Sequence, residues 1–138
     1  MLFAIFVVNT IFHMKTTSLI YIVACAVLTA LANVLLRHGL LKSGGLALGT
    51  GSVLGGWTAT LLQPAFLAGI VLYGLAAVVW FYALSVTEVS TGYPVLVGLT
   101  FVLVNLGAVG LFHESLNPLK LAGMAFILAG IFLVARGA

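Results

Sequence analysis

Uncharged apolar stretches, separated by single charged residues, occupy most of this chain. Crossing about 30 Å of hydrocarbon at about 1.5 Å per residue takes about 20 helical residues, and four stretches approach or reach that length. The first, residues 16–36, is bracketed by Lys15 and Arg37, whose long stems carry charge out to a membrane interface. The second, residues 65–84, follows Pro64, placed where a first-turn proline costs no helical hydrogen bond. The third lies between Glu88 and Glu114, with predicted bounds 93–112. The fourth, 118–136, is only just long enough.

Residues 43–63 also lack charge, but Gly44, Gly45, Gly49, Gly51, Gly55 and Gly56 argue against an uninterrupted helix. Val53, Leu54, Trp57 and Leu61 recur at helical spacing beside Ser52, Thr58, Thr60 and Gln63. That pattern predicts a short segment lying in the membrane interface with Trp57 at headgroup level, the alternative being a re-entrant or poorly ordered loop. Residues 1–13 are apolar, too short to span, and lack the basic start and cleavage site of a signal peptide. Met14-Lys15-Thr16-Thr17 reads as a natural start. The expected organisation is therefore an N-terminal extension over 1–13 and one four-helix transmembrane domain over 14–138.

Composition agrees with a lipid solvent. Of 138 residues, 64% are hydrophobic and 5% charged, against about 45–50% and about 25% in ordinary soluble domains. So few charged side chains cannot solvate a water-soluble globule, and disorder requires the opposite balance. The net charge of +3 forms no nucleic-acid face, because Lys15, Arg37, Lys42, Lys120 and Arg136 are scattered. Four spans would place Lys15 and Arg136 on one side and Arg37, Lys42 and Lys120 on the other. That balance barely orients the chain and is compatible with insertion in both directions. Cys25 can form no internal disulfide and reads as a buried thiol. His13, His38 and His113 lack metal-ligand spacing, and the glycines of 44–56 lack the Lys-Ser/Thr ending of a phosphate loop. No metal, no cofactor and no enzyme activity are expected.

The order Trp80-Phe-Tyr-Ala-Leu84, Tyr93-Pro-Val-Leu96, His113-Glu-Ser-Leu116 and Gly123-Met-Ala-Phe-Ile-Leu-Ala-Gly130-Ile resembles the four-span members of the drug/metabolite transporter superfamily. Two branches are similar: the small multidrug resistance exporters, and the paired flippase subunits that move aminoarabinose-phosphoundecaprenol across the inner membrane. The resemblance covers residues 21–135 and is strongest after Pro64. It implies an all-α membrane protein of four transmembrane helices, a bundle that dimerises with itself or with a four-span paralogue in the cell inner membrane. From the residues themselves, Gly123 and Gly130 share one helical face, and Ala125 and Ala129 add a small-xxx-small pair. Dimer packing is the expected use, although glycine is also simply common in membrane helices.

In the resembling exporters an intramembrane glutamate of span one binds protons and cationic drugs in turn. Matching Leu35-Leu36-Arg37 to the family's end of that helix puts Thr29 in the glutamate's place. No Asp, Glu, His or Lys lies deep in any predicted span, so no carboxylate is available to trade a proton for a substrate. Tyr93 matches one member of the exporters' aromatic pair, but Leu96 stands where a tryptophan is expected. The flippase subunits have counterparts of Tyr93-Pro94 and His113-Glu114, and lipid flipping needs no intramembrane acid. Hydroxyl, amide and aromatic groups facing a lateral groove would suffice.

The groove candidates are Thr29, Asn33, Trp80, Tyr93 and Asn105, with Arg37 or Lys42 pairing a lipid phosphate. Plainer roles stand beside these. Asn33 and Asn105 could be interhelical glue worth about 0.6–2 kcal/mol. Thr29 could bond back to its own helix, Arg37 could snorkel, Tyr93 could be an interfacial aromatic, and Pro94 could simply open its helix near Ser90. Glu114 could tie down a loop through Lys120. The leading expectation is translocation of an undecaprenyl-phosphate-linked sugar. A small-molecule exporter coupled by some other group, and a non-transporting helical partner subunit, are the alternatives.

Overall fold

The computed structural model describes residues 16–44, 53–115 and 117–137. The expectations for residues 1–13, Met14 and Lys15, for the glycines between 45 and 51, and for the side chains of Val53, Leu54 and Arg136 lie outside the described residues. Among the described residues regular structure is helical: α1 (Thr16–Lys42), α2 (Val53–Leu61), α3 (Pro64–Val86), α4 (Val89–Phe112) and α5 (Pro118–Gly137). Helices α1, α3 and α4, of 27, 23 and 24 residues, are long and apolar enough to cross a membrane; α5 is a shorter apolar helix. The chain is a multi-pass membrane protein.

The fold is organised around α1, which packs along both α3 and α4. On α3 the buried residues are Gly69, Ala76 and Ala83, a row of small side chains spaced seven apart. Small residues let helix backbones approach where lipid offers no hydrophobic drive to associate. On α1 the facing seam includes Ser18, Ile22, Cys25, Ala32 and Gly39. The two helices run antiparallel. Ser18 Oγ donates to the Val86 carbonyl at 3.1 Å, satisfying a helix-end acceptor, and Cys25 Sγ donates to the Ala76 carbonyl at 3.3 Å. Farther along, Leu36 lies on Gly69 and Phe66 lies on Gly39.

Helix α4 runs parallel to α1, with Gly92 near Ile22 and Gly107 near Val34. Ile22, Ala83 and Val95 form the centre of the three-helix core, flanked by Tyr21, Trp80, Leu96 and Leu99. Because α3 and α4 touch each other little, a gap opens between them with α1 as its floor. Helix α5 packs against α4. Among the described residues, a Cβ added at Gly123 or Gly130 would meet nothing within 4 Å, so neither glycine is covered by them.

Two helix boundaries differ from the sequence expectation by more than two residues. Helix α1 does not stop at Leu36 but continues to Lys42. The close packing of Gly39 on Phe66 keeps this segment helical, and the Ser43 amide still bonds the Gly39 carbonyl at 3.0 Å. Helix α4 begins at Val89, ahead of the predicted 93, because the Glu88 carbonyl accepts from both Thr91 and Gly92. Pro94 consequently falls inside the helix, where its missing N–H deprives the Ser90 carbonyl of the usual bond.

The short segment before α3 is helical. Trp57 is exposed, and buried Thr60 donates from Oγ1 to Ser43 Oγ at 3.0 Å, anchoring α2 to the end of α1. At the other boundary, α4 terminates on His113 in the left-handed conformation (φ 52°, ψ 36°), whose N–H bonds the Ala108 carbonyl. Asn117 then caps α5, its Oδ1 accepting the Lys120 amide at 2.7 Å, with Pro118 in the first helical position.

Candidate functional site

The gap between α3 and α4 holds an open cavity of about 520 Å³. Thr29 supplies the floor from α1, Tyr73 one wall from α3, and α4 the other through Tyr93, Leu96, Val97, Thr100, Phe101, Val104 and Asn105. Of the five residues singled out in the sequence, Thr29, Tyr93 and Asn105 line this groove directly. Asn33 sits beside it: its Nδ2 donates to the Thr29 carbonyl at 2.8 Å and reaches the Tyr73 hydroxyl at 3.5 Å, the outer limit of a hydrogen bond. Trp80 bridges α3 to α4 by packing on Tyr93, with ring centroids 6.1 Å apart and planes tilted by 59°.

The lining is electrically neutral. Its polar groups are the Thr29 and Thr100 hydroxyls, the Asn105 amide and two phenols, and it contains no carboxylate, ammonium or guanidinium. Asn105 Nδ2 donates back to the Phe101 carbonyl at 2.7 Å, which fixes the amide's orientation. Thr100 Oγ1 is buried without a hydrogen-bond partner among the described residues. A buried hydroxyl left unpaired costs about 1–3 kcal/mol, so Thr100 marks a point where a ligand hydroxyl or a water would be bound with advantage. Neither Tyr73 nor Thr100 was evident from sequence, because a single polar residue on an apolar helix carries no sign of which face it occupies.

Beyond the Asn105 end of the groove, at the end of α4, lies the charged cluster. Arg37 forms an ion pair with Glu114, and its guanidinium carbon stands 4.6 Å from the centre of the Phe112 ring. Lys120 Nζ reaches the other carboxylate oxygen of Glu114 at 3.3 Å. The Glu114–Lys120 contact is the one read from the sequence; the Arg37 contact joins residues too distant in the chain for any local pattern to reveal. Lys42 is exposed at the end of α1.

The protein is a small multi-pass membrane protein of drug/metabolite transporter type, with a neutral groove between apolar helices and a charged cluster beyond one end of it. Residues 22–135 match the model of putative transmembrane family 234, and the chain belongs to that family. The uncharacterized protein y4nH of Sinorhizobium fredii is 32% identical over an alignment of 127 residues that covers 90% of this chain and 99% of y4nH. The probable 4-amino-4-deoxy-L-arabinose-phosphoundecaprenol flippase subunit ArnE of Pseudomonas aeruginosa is 40% identical over 83 residues, covering 60% of this chain and 71% of ArnE. The corresponding subunit ArnF of Yersinia enterocolitica is 43% identical over 76 residues, covering 51% of this chain and 59% of ArnF. No solved structure matches the chain.

Proposed function

We propose that this protein translocates an amphiphilic substrate, most concretely an undecaprenyl-phosphate-linked sugar, across the cell inner membrane. The observation that carries this reading is the uncharged groove between α3 and α4, in which hydroxyl, amide and aromatic groups stand within an otherwise apolar wall. Such a lining accepts a sugar through hydrogen bonds and leaves the polyprenyl chain in lipid. Thr29, Asn33 and Asn105 hold the polar part near the end where Arg37 or Lys42 meets the phosphate at the interface, and Tyr93 and Trp80 hold it farther along the groove. Helix α5 makes a fourth crossing. The functional unit is a homodimer, or a heterodimer with a four-span paralogue, packed through the open Gly123 and Gly130 face, and the groove is exposed alternately to the two sides. Proton-coupled export of a cation fits less well, since Thr29 occupies the position where the resembling exporters carry their acid.

Deleting the gene should strand a lipid-linked sugar on the cytoplasmic leaflet, and overexpression should give no resistance to cationic drugs. Normal delivery of every lipid-linked sugar in the deletion strain, with drug resistance on overexpression, would replace this reading with the exporter.

A further inference from the structure

We propose that Arg37 and Lys120 form a phosphate site whose resting occupant is the Glu114 carboxylate, and that the phosphate of the arriving amphiphile displaces it. This rests on the reading above that the substrate carries a phosphate, and adds a second cation and an internal competitor to the Arg37 contact.

Two cations from separate elements converge on one carboxylate. Arg37 comes from α1, Lys120 from the first turn of α5, and Glu114 from the link between α4 and α5. The cluster therefore keeps one net positive charge that Glu114 leaves uncompensated. Its exposure is asymmetric: the Glu114 side chain is 24% exposed, whereas those of Arg37 and Lys120 are 47% and 42% exposed. Both cations can be reached from solvent while the carboxylate sits inward between them. Contact with the Phe112 ring restrains the guanidinium, so an incoming anion meets a donor that is already oriented.

A phosphate ester offers more acceptor oxygens than a carboxylate, a charge of −1 or more, and a bidentate match to arginine. The cluster lies about two helical turns from the groove along both α1 and α4, since Thr29 precedes Arg37 by eight residues and Asn105 precedes Phe112 by seven. A phosphate held there lies on the Asn105 side of the groove, so the attached sugar meets that end first. Glu114 follows His113, the one described non-glycine residue with positive φ, and at present it is the strap from α1 to the α4–α5 link. Phosphate arrival consequently unties that link from α1.

The test is binding by isothermal titration calorimetry to the full chain in detergent, with undecaprenyl phosphate, phosphatidylglycerol, inorganic phosphate and uncharged undecaprenol as probes. Removing the competitor in Glu114→Gln should tighten undecaprenyl phosphate binding by about threefold to tenfold, and Lys120→Gln should weaken it by a similar factor. Undecaprenol should bind all three proteins equally. The opposite signs separate exchange from a purely structural ion pair, whose loss would weaken binding in both variants. If Glu114→Gln does not fold, Lys120→Gln decides alone: unchanged undecaprenyl phosphate binding, or an equal loss with undecaprenol, overturns the proposal. The same sign pattern with inorganic phosphate or phosphatidylglycerol supports the exchange and assigns its source to free phosphate or to bulk lipid headgroups. Intact translocation in a chain that shows no exchange would count against this inference alone, whereas exchange without translocation would count against the flippase reading.

Discussion

Gly39 of α1 lies directly beneath Phe66 of α3: a Cβ at Gly39 would stand 2.7 Å from Phe66 Cβ and 2.8 Å from the Phe66 backbone nitrogen. Backbone atoms cannot rotate aside as a side chain can, so Gly39→Ala must push the two helices apart. We expect it to cost about 1–3 kcal/mol, seen as a lower midpoint in thermal or denaturant unfolding in detergent. Gly74→Ala, on the same α3 but with nothing within 4 Å of its added Cβ, should leave the midpoint unchanged or raise it. Equal gains in both variants would show that helix propensity, and not close approach, governs these positions.

His113 ends α4 in a conformation that favours glycine. An L residue there costs about 1–2 kcal/mol, part of which His113→Gly should recover as increased stability. His113→Val should lose stability by a comparable amount, because a β-branched side chain fits the left-handed region worst. Unfolding midpoints of the two variants should therefore move in opposite directions from the parent.

Thr100 tests whether the groove is built for a ligand. Thr100→Val removes a buried hydroxyl that has no partner in the structure, and should stabilise the ligand-free protein by about 1 kcal/mol. The same change should slow translocation, since the lost hydroxyl is one that a substrate would satisfy. Stability and activity moving in opposite directions is the expected signature; a fall in both would mean that Thr100 serves packing.

The open glycines of α5 yield a prediction about assembly. Gly123→Leu combined with Gly130→Leu should leave the α1–α3–α4 core folded, because neither position meets a neighbour among the described residues. Association measured by sedimentation in detergent should be lost. A dimer that survives the double substitution would place its interface elsewhere.

The apolar runs were legible because charge is so rare here that each charged residue marks a break. The same rule misplaced the end of α1, where Arg37 is carried within a helix that Gly39 prolongs by packing on Phe66. Small residues spaced seven apart occur in three helices, and only Gly123 and Gly130 were selected from the sequence. The rows that the chain buries internally are Ser18, Cys25, Ala32 and Gly39 on α1 and Gly69, Ala76 and Ala83 on α3. Spacing reveals a smooth face but not what covers it. Polar residues in apolar runs pointed to Thr29, Asn33 and Asn105, which the structure gathers at or beside one groove. Tyr73 and Thr100 became visible only when the helices were placed together.

The most direct test of the account is translocation in proteoliposomes of a fluorescent polyprenyl-phosphate-linked sugar, measured with and without an imposed pH gradient. A neutral groove should support translocation at the same initial rate under both conditions, and Tyr93→Ala should slow it by at least about tenfold, an increase in barrier of about 1.4 kcal/mol. A rate that collapses when the gradient is removed, or that ignores Tyr93→Ala, would contradict it.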